Sequence, residues 1–234
     1  MYKRVILKLS GESLAKNCGD FGINYEKVKE ICLTIKECLL SGVQMGIVVG
    51  GGNFWRGREH KKNIDASVAD QMGMLSTVLN ALYLKEIFKK IGVNSSVLTT
   101  IPIPSVTEGY SYKRALGLIE NNNLLIFGGG TGNTHFSTDS AASLRAAELR
   151  ADILLKATTV DGVYDSDPKI NKNAHLYDVI SFDDVLKLDL KVMDSTAFAM
   201  CKDNNIKVLI FDVSIYENIK KAIFGEKIGT LISN

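Results

Sequence analysis

No apolar run in this 234-residue sequence reaches the length of a membrane-spanning helix, and Lys3, Arg4 and Lys8 interrupt the first ten residues with charge. A membrane anchor and a secretory leader are therefore not expected, and the cytoplasm is the expected compartment. Cysteine is scarce: Cys18, Cys32, Cys38 and Cys201 show no C-x-x-C spacing. Cys32 and Cys38 fall in a helical pattern, where a buried reduced thiol is the ordinary role. His60, His135 and His175 stand apart from one another, so no zinc motif is visible and no metal ligands are expected. Charge of either sign is nearly balanced, with 28 Lys and Arg against 26 Asp and Glu leaving +2. The longest basic cluster, His60-Lys61-Lys62, is too short to form a nucleic-acid stripe. An anionic ligand has to be held by a local site, because the global field is too weak to do so.

The common nucleotide fingerprints are missing as well. There is no G-x-x-x-x-G-K-[ST], which excludes a P-loop kinase. Gly50-x-Gly52 and Gly128-x-Gly130 both lack the last glycine of G-x-G-x-x-G, so a dinucleotide-binding fold is unsupported. The H-R-D motif of protein kinases is absent, and Asp20-Phe21-Gly22 matches D-F-G only in letters, near the wrong end of the chain.

Short apolar runs alternate with amphipathic stretches. Val5 to Leu7, Val43 to Val49, Ser96 to Leu98, Leu124 to Phe127, Ile153 to Leu155 and Val208 to Phe211 are apolar on both faces and mostly end in turn residues. They predict buried strands of a mainly parallel sheet. Val28, Ile31, Cys32, Ile35 and Leu39 recur at helical steps, with Asn24 placed to cap the start and Gly42 to end the helix. Further helices are predicted over 67–91, 111–121, 139–150, 193–204 and 215–223. The order implies an α/β fold, a three-layer αβα sandwich around an open sheet. One domain spans 1–234, with a first part over about 1–150 and a second over about 151–234. The turn-rich stretch from Asp161 to Lys169 reads as an excursion into a second, smaller lobe.

Three of these strands end in unusual ways, and ligands of open α/β sheets bind beyond the carboxyl ends of strands. Lys8 closes an apolar strand and precedes Ser10-Gly11; a lysine there is costly to desolvate unless an anion meets it. The plainer alternative is a lysine reaching back to solvent. Gly50-Gly51-Gly52-Asn53 follows the second strand, and Gly128-Gly129-Gly130-Thr131-Gly132-Asn133 follows another. Successive glycine N–H groups can cradle phosphate oxygens, and two such loops suggest two phosphate-bearing ligands. Lys156 repeats the strand-end lysine. Two lysines and two glycine loops at one edge supply the positioning and charge neutralisation that phosphoryl transfer requires.

The motifs Lys8-Leu9-Ser10-Gly11-Glu12, Gly50-Gly51-Gly52-Asn53-x-x-Arg56-Gly57, Asp70-x-Met72-Gly73-Met74, Gly130-Thr131-Gly132-Asn133, Thr138-Asp139-Ser140-Ala141-Ala142, Lys156-Ala157-Thr158-x-Val160-Asp161-Gly162-Val163-Tyr164 and Gly225-Glu226-Lys227-x-Gly229-Thr230 together resemble the bacterial-type UMP kinases of the amino acid kinase family. The resemblance covers the whole chain. It implies transfer of the γ-phosphoryl group of ATP to UMP, with Mg²⁺ carried by ATP, a hexameric assembly, activation by GTP and inhibition by UTP. It assigns Lys8, Leu9, Ser10, Gly11, Gly52 and Arg56 to the ATP side, and Thr158, Tyr164 and Asp167 to the adenosine pocket. Gly51, Asp70, Thr131, Gly132, Asn133, Thr134, His135, Phe136, Ser137 and Thr138 would hold UMP, Asp70 through the ribose hydroxyls. Asp139 and Asp194 would organise the catalytic lysines Lys8 and Lys156. Asn17, Cys18, Gly19, Asp20, Phe21 and Gly22 match the segment tied to GTP activation, although Asn17 to Asp20 departs from the family pattern, as does His135.

Each assignment has a plainer rival in the residues themselves. Asp70 lies near a helix start, and Asp139 and Asp194 each have the position of an N-cap. Tyr164 would also serve as a core aromatic, and His135 would also serve facing solvent. Kinases for N-acetylglutamate, aspartate, glutamate, carbamate or isopentenyl phosphate share the fold; the Thr-Gly-Asn and Thr-Asp-Ser-Ala-Ala runs favour UMP. A non-catalytic nucleotide binder would not need Lys8, Asp139, Lys156 and Asp194 together.

Overall fold

Strands that are apolar on both sides need cover on both sides, and this chain supplies it with helices. The computed structural model describes residues 1–17, 19–57, 63–166, 168 and 170–234; Cys18, the basic run at His60 to Lys62, and Asp167 lie outside the described residues. In chain order the elements begin β1 (Arg4–Leu9), a 3₁₀ turn (Gly11–Leu14), α1 (Tyr25–Leu40), β2 (Gln44–Val49) and α2 (Ala66–Lys90). Then come β3 (Ser95–Thr99), β4 (Glu108–Gly109), α3 (Tyr112–Glu120), β5 (Leu124–Gly128), α4 (Thr138–Glu148) and β6 (Ile153–Thr158). The chain ends with β7 (Val179–Ser181), α5 (Phe182–Lys187), α6 (Ser195–Asp203), β8 (Lys207–Asp212), α7 (Glu217–Phe224) and β9 (Thr230–Ser233).

The strands join in one sheet in the order β4-β3-β5-β2-β1-β6-β8-β9-β7. Every pair from β4 across to β8 is parallel. Only β9 runs against its neighbour β8, with β7 parallel to β9 at the edge. The predicted αβα sandwich and mainly parallel sheet are therefore present. Strands β4, β7 and β9 and helix α5 were not anticipated; they are short, and the edge strands alternate or are exposed, so they carry no two-sided apolar run.

Alternation along β1 sorts its residues between two cores. Val5, Leu7 and Leu9 pack with Val28, Ile31 and Ile35 of α1, Leu84 and Phe88 of α2, and Ile219 and Ile223 of α7. Ile6 packs on the other face with Ala115 and Ile119 of α3, Ala142 and Ala146 of α4, Phe182 of α5 and Phe198 of α6. Lys8 shares the face of Ile6, beneath α4. The buried face of α4 is built from Ser140, Ala141, Ala142, Ser143, Arg145 and Ala146, mostly short side chains that let the helix lie close on the sheet. Helix α1 starts as predicted, with Asn24 Oδ1 accepting from the N–H of Lys27 at 2.9 Å. It ends at Gly42, whose φ of +88° is open to glycine at no steric cost.

The stretch after β6 does not found a second lobe. Tyr164 and Leu176 form an isolated antiparallel bridge, Val163 is buried in the second core, and its N–H donates to Thr230 Oγ1 at 2.8 Å. The excursion thus folds back onto the edge of the same sheet. Among the described residues no helix is long and apolar enough to cross a membrane.

Cys32, Cys38 and Cys201 are buried and reduced. Burial pushes the Cys38 and Cys201 thiols up to about 11 and raises Cys32 further still, which suppresses the reactive thiolate. The native protein should leave all three unmodified by a thiol reagent at pH 8, with modification appearing only in denaturant. Mass spectrometry of the labelled protein reads this directly, and native labelling at any of the three would contradict the packing described.

Candidate active site

Parallel pairing of β1 with β6 sets Lys8 opposite Lys156. Two like charges in adjacent strands repel, and the structure places a carboxylate between them. Asp139, the second residue of α4, faces Lys8 Nζ through Oδ1 at 3.0 Å and Lys156 Nζ through Oδ2 at 2.7 Å. The Lys8 contact is close but off the hydrogen-bond direction, so it acts as an ion pair. Lys156 also donates to the carbonyl of Val192 at 2.6 Å. All three side chains are nearly buried. Burial pushes the Asp139 carboxyl up, but the two ammonium groups pull harder and hold it below the ordinary carboxylate value. Burial lowers Lys156 more than Asp139 raises it. The trio keeps one uncompensated positive charge in a place poor in water, and an anion completes it.

The first glycine loop is held from behind. Asn80, fully buried inside α2, donates to the Gly50 carbonyl and to Asn53 Oδ1, both at 2.7 Å. Asn53 returns a bond to Asn80 Oδ1 at 3.0 Å and one to the Gly22 carbonyl at 2.9 Å. Gly11 sits so tightly on this loop that a Cβ there would meet Asn53 Oδ1 and Gly52 N at 2.6 Å. The second loop is held by Thr77, whose Oγ1 accepts from the N–H of Gly129 at 2.7 Å, and by Thr100, whose Oγ1 donates to the Gly129 carbonyl at 2.7 Å. With both loops fixed, the N–H groups of Gly51, Gly52 and Gly130 have no acceptor among the described residues, as a phosphate cradle requires.

Two clefts flank the trio. One, of about 340 Å³, is lined by Gly51, Asp70, Thr77, His135, Ser137 and Thr138 among others. The other, of about 720 Å³, is lined by Lys156, Thr158, Asp161, Tyr164, Val192 and Ile210 among others. Asp70 is not a helix cap; that place belongs to Asp65, whose Oδ1 accepts from the N–H groups of Ser67 and Val68. Asp70 Oδ2 instead accepts from the N–H of His135 at 2.8 Å. Thr131 Oγ1 accepts from the N–H of Asn133 and donates to its carbonyl, both at 3.2 Å, shaping the loop ahead of His135. Phe136 is exposed on the cleft wall.

Asp139 is likewise free of capping duty, because Ser137 caps α4 through the N–H groups of Asp139 and Ser140. Asp194 makes no direct bond to the lysines it is expected to organise. It caps α6, accepting from the N–H of Ala197 at 3.0 Å, and its remaining capacity goes to the hydroxyls of Ser137 and Ser140. No bond joins it to either lysine; it reaches Lys156 only through space. The physical reason is the N-cap geometry of α6, which turns the carboxylate toward the start of α4.

In the larger cleft, Tyr164 Oη donates to Asp161 Oδ2 at 2.8 Å, so the ring is a partly exposed cleft wall and not a core aromatic. Arg56 pairs with Glu12 at 3.0 Å, and Asp167 lies outside the described residues. In the segment from Asn17 to Gly22, Asp20 Oδ2 accepts from the N–H and side-chain amide of Asn17. Phe21 is exposed and meets Phe54 edge to face. Gly19, Asp20, Phe21, Gly52 and Arg56 line a small cleft of about 190 Å³. Asn80, Thr77 and Thr100, which fix both glycine loops, had no signature in the sequence beyond being polar residues near apolar ones.

A model of the amino acid kinase family matches residues 3–212. Among solved structures, the UMP kinase from Bacillus anthracis is similar at 36% identity with a TM-score of 0.95, over 99% of this chain and 96% of that one. The UMP kinase from Ureaplasma parvum is similar at 38% identity with a TM-score of 0.94, over the full length of both chains. The uridylate kinase from Archaeoglobus fulgidus shares 29% identity with a TM-score of 0.75, over 98% of this chain and 99% of that one.

The Asp139 ion pairs have a pH signature. A carboxyl held low in the fold stabilises it fully above the unfolded value of about 3.9 and loses that contribution as pH falls through the folded value. The stability gap between wild type and Asp139→Asn should therefore be constant from pH 6 to 8 and shrink below about pH 4. Denaturant melts at each pH measure it, and a gap that widens on acidification would contradict the ion-pair geometry.

Proposed function

The chain belongs to the amino acid kinase family, and from that premise we propose that it is a UMP kinase, moving the γ-phosphoryl group of ATP to UMP to give UDP and ADP. The observation that carries the proposal is the Lys8–Asp139–Lys156 trio beside two clefts, one lined by both glycine loops and the other by Lys156 and the stretch after β6. An acceptor phosphate oxygen attacks the γ-phosphorus in line, a new P–O bond forms, and the bond to the ADP oxygen breaks. UMP is largely dianionic near neutral pH, so the nucleophile needs no strong base, and Asp139 is engaged by the lysines in any case. The two ammonium groups and the loop N–H groups stabilise charge spreading over the transferring oxygens. The nucleotide substrate is ATP with Mg²⁺ on its phosphates.

In this reading the residues before about 150 mainly form the acceptor cleft and those after it the adenosine cleft. Val68, Met72, Leu75 and Leu79 form an exposed apolar stripe along one face of α2, the helix that also carries Asp70, Thr77 and Asn80. A second copy covering that stripe would support the hexameric assembly that the resemblance implies. GTP activation through the Asn17 to Gly22 segment and UTP competition at the acceptor cleft complete the reading, within cytoplasmic pyrimidine nucleotide synthesis. Sedimentation, and initial rates with added GTP or UTP, test these points.

A coupled assay of ADP release should show turnover with UMP and far less with AMP or dTMP. Equal use of AMP would defeat the assignment. Lys8→Ala should lower kcat by about 10²-fold or more with the fold intact and KM for UMP much less affected. Near-normal kcat would make Lys8 merely a strand-end lysine reaching solvent.

A further inference from the structure

His135 is one of the few non-glycine residues with left-handed backbone, at a φ of +66°. That conformation costs on the order of 1 kcal/mol and persists only where the surroundings over-determine it. Here they do. The backbone N–H donates to Asp70 Oδ2 at 2.8 Å, ring Nδ1 stands 3.9 Å from the same oxygen, and ring Nε2 lies 3.3 Å from Ser67 Oγ. One residue of the acceptor loop therefore grips the first turns of α2 at two points a turn apart, Ser67 and Asp70. Asp70 Oδ1 has no partner among the described residues, and the carboxylate lines the cleft.

A carboxylate with one oxygen held by a backbone N–H and the other without a partner presents an oriented acceptor to the cleft. It suits a hydroxyl and repels a phosphate, so it belongs at the sugar end of a nucleoside monophosphate. We infer that His135 is the positioning residue for Asp70, and that its ring, bridging to Ser67, sets the preference for acceptors carrying a ribose 2′-hydroxyl. This rests on the UMP reading above. An acceptor without the hydroxyl leaves Oδ1 desolvated and unpaired, which is where such sites gain their discrimination. If the ring is lost, the loop swings on the backbone bond alone and the carboxylate is no longer fixed against a deoxyribose acceptor.

The test compares UMP and dUMP kinetics for wild type, His135→Ala and His135→Asn. Both variants keep the backbone N–H, so they isolate the ring. Asparagine tolerates left-handed backbone and offers an amide donor and acceptor. The alanine variant should lose about tenfold in kcat/KM for UMP, mainly in KM, and the UMP-over-dUMP ratio should fall by about tenfold, the scale of one lost hydrogen bond. Asparagine should restore most of that ratio. Thermal melts establish that each variant is folded. An unchanged ratio in His135→Ala overturns the inference while UMP turnover still upholds the kinase reading. Loss in both variants without rescue reduces His135 to a structural loop residue and also overturns it. Wild type inert toward UMP would overturn the kinase reading, and this inference with it.

Discussion

A single buried carboxylate between two lysines is the interaction on which the rest of the structure depends. Asp139 draws Lys8 and Lys156 to within 3.0 and 2.7 Å of its oxygens, and removing one partner from such a buried set typically costs about 3–5 kcal/mol. Stability alone does not explain the arrangement, since apolar residues of similar volume often do as well or better. What the trio offers is a positive charge in excess, preorganised in a site poor in water, where an interaction with phosphoryl oxygens is worth far more than in bulk solvent. The parallel register of β1 and β6 makes the encounter possible, and the short side chains under α4 bring the carboxylate down to meet it.

Around that centre, polar groups buried in apolar elements hold the loops still. The reciprocal amide pair of Asn53 and Asn80 fixes the first glycine loop and ties in Gly22 from the candidate effector segment. Thr77 and Thr100 fix the second loop from opposite sides. Asp194 joins the caps of α4 and α6 through Ser137 and Ser140, so a change at α6 is felt at the start of α4 without any direct contact with the lysines. Val192, whose carbonyl receives Lys156, lies on the segment between α5 and α6 that also lines the larger cleft. Movement of that segment on nucleotide binding would act on Lys156 directly.

Strands buried on both faces were legible because their apolar runs are too short for a buried helix and mostly end in turn residues. The edge strands were not, since Glu108-Gly109 and Val179 to Ser181 owe their state to their neighbours. Lys8 and Lys156 stood out by the cost of placing a charge at the end of an apolar strand. Asp139 did not, because the residue types of a helix cap and of a lysine partner are the same, and only the third dimension separates them. The same ambiguity resolved the other way for Asp194, which is the cap. Asn80 and Thr77 were invisible for a different reason: a polar residue inside a helical pattern reads as solvent-facing, whereas here the helix turns both toward the glycine loops.

The most direct test of this account is a crystal structure with ADP, UMP and a metal fluoride in place of the transferring phosphoryl group. If the excess charge of the trio stabilises that group, Nζ of both Lys8 and Lys156 should lie about 3 Å from fluoride or bridging phosphate oxygens, with Asp139 still between them. A fluoride held elsewhere, with the trio closed on itself and neither lysine in reach, would contradict it.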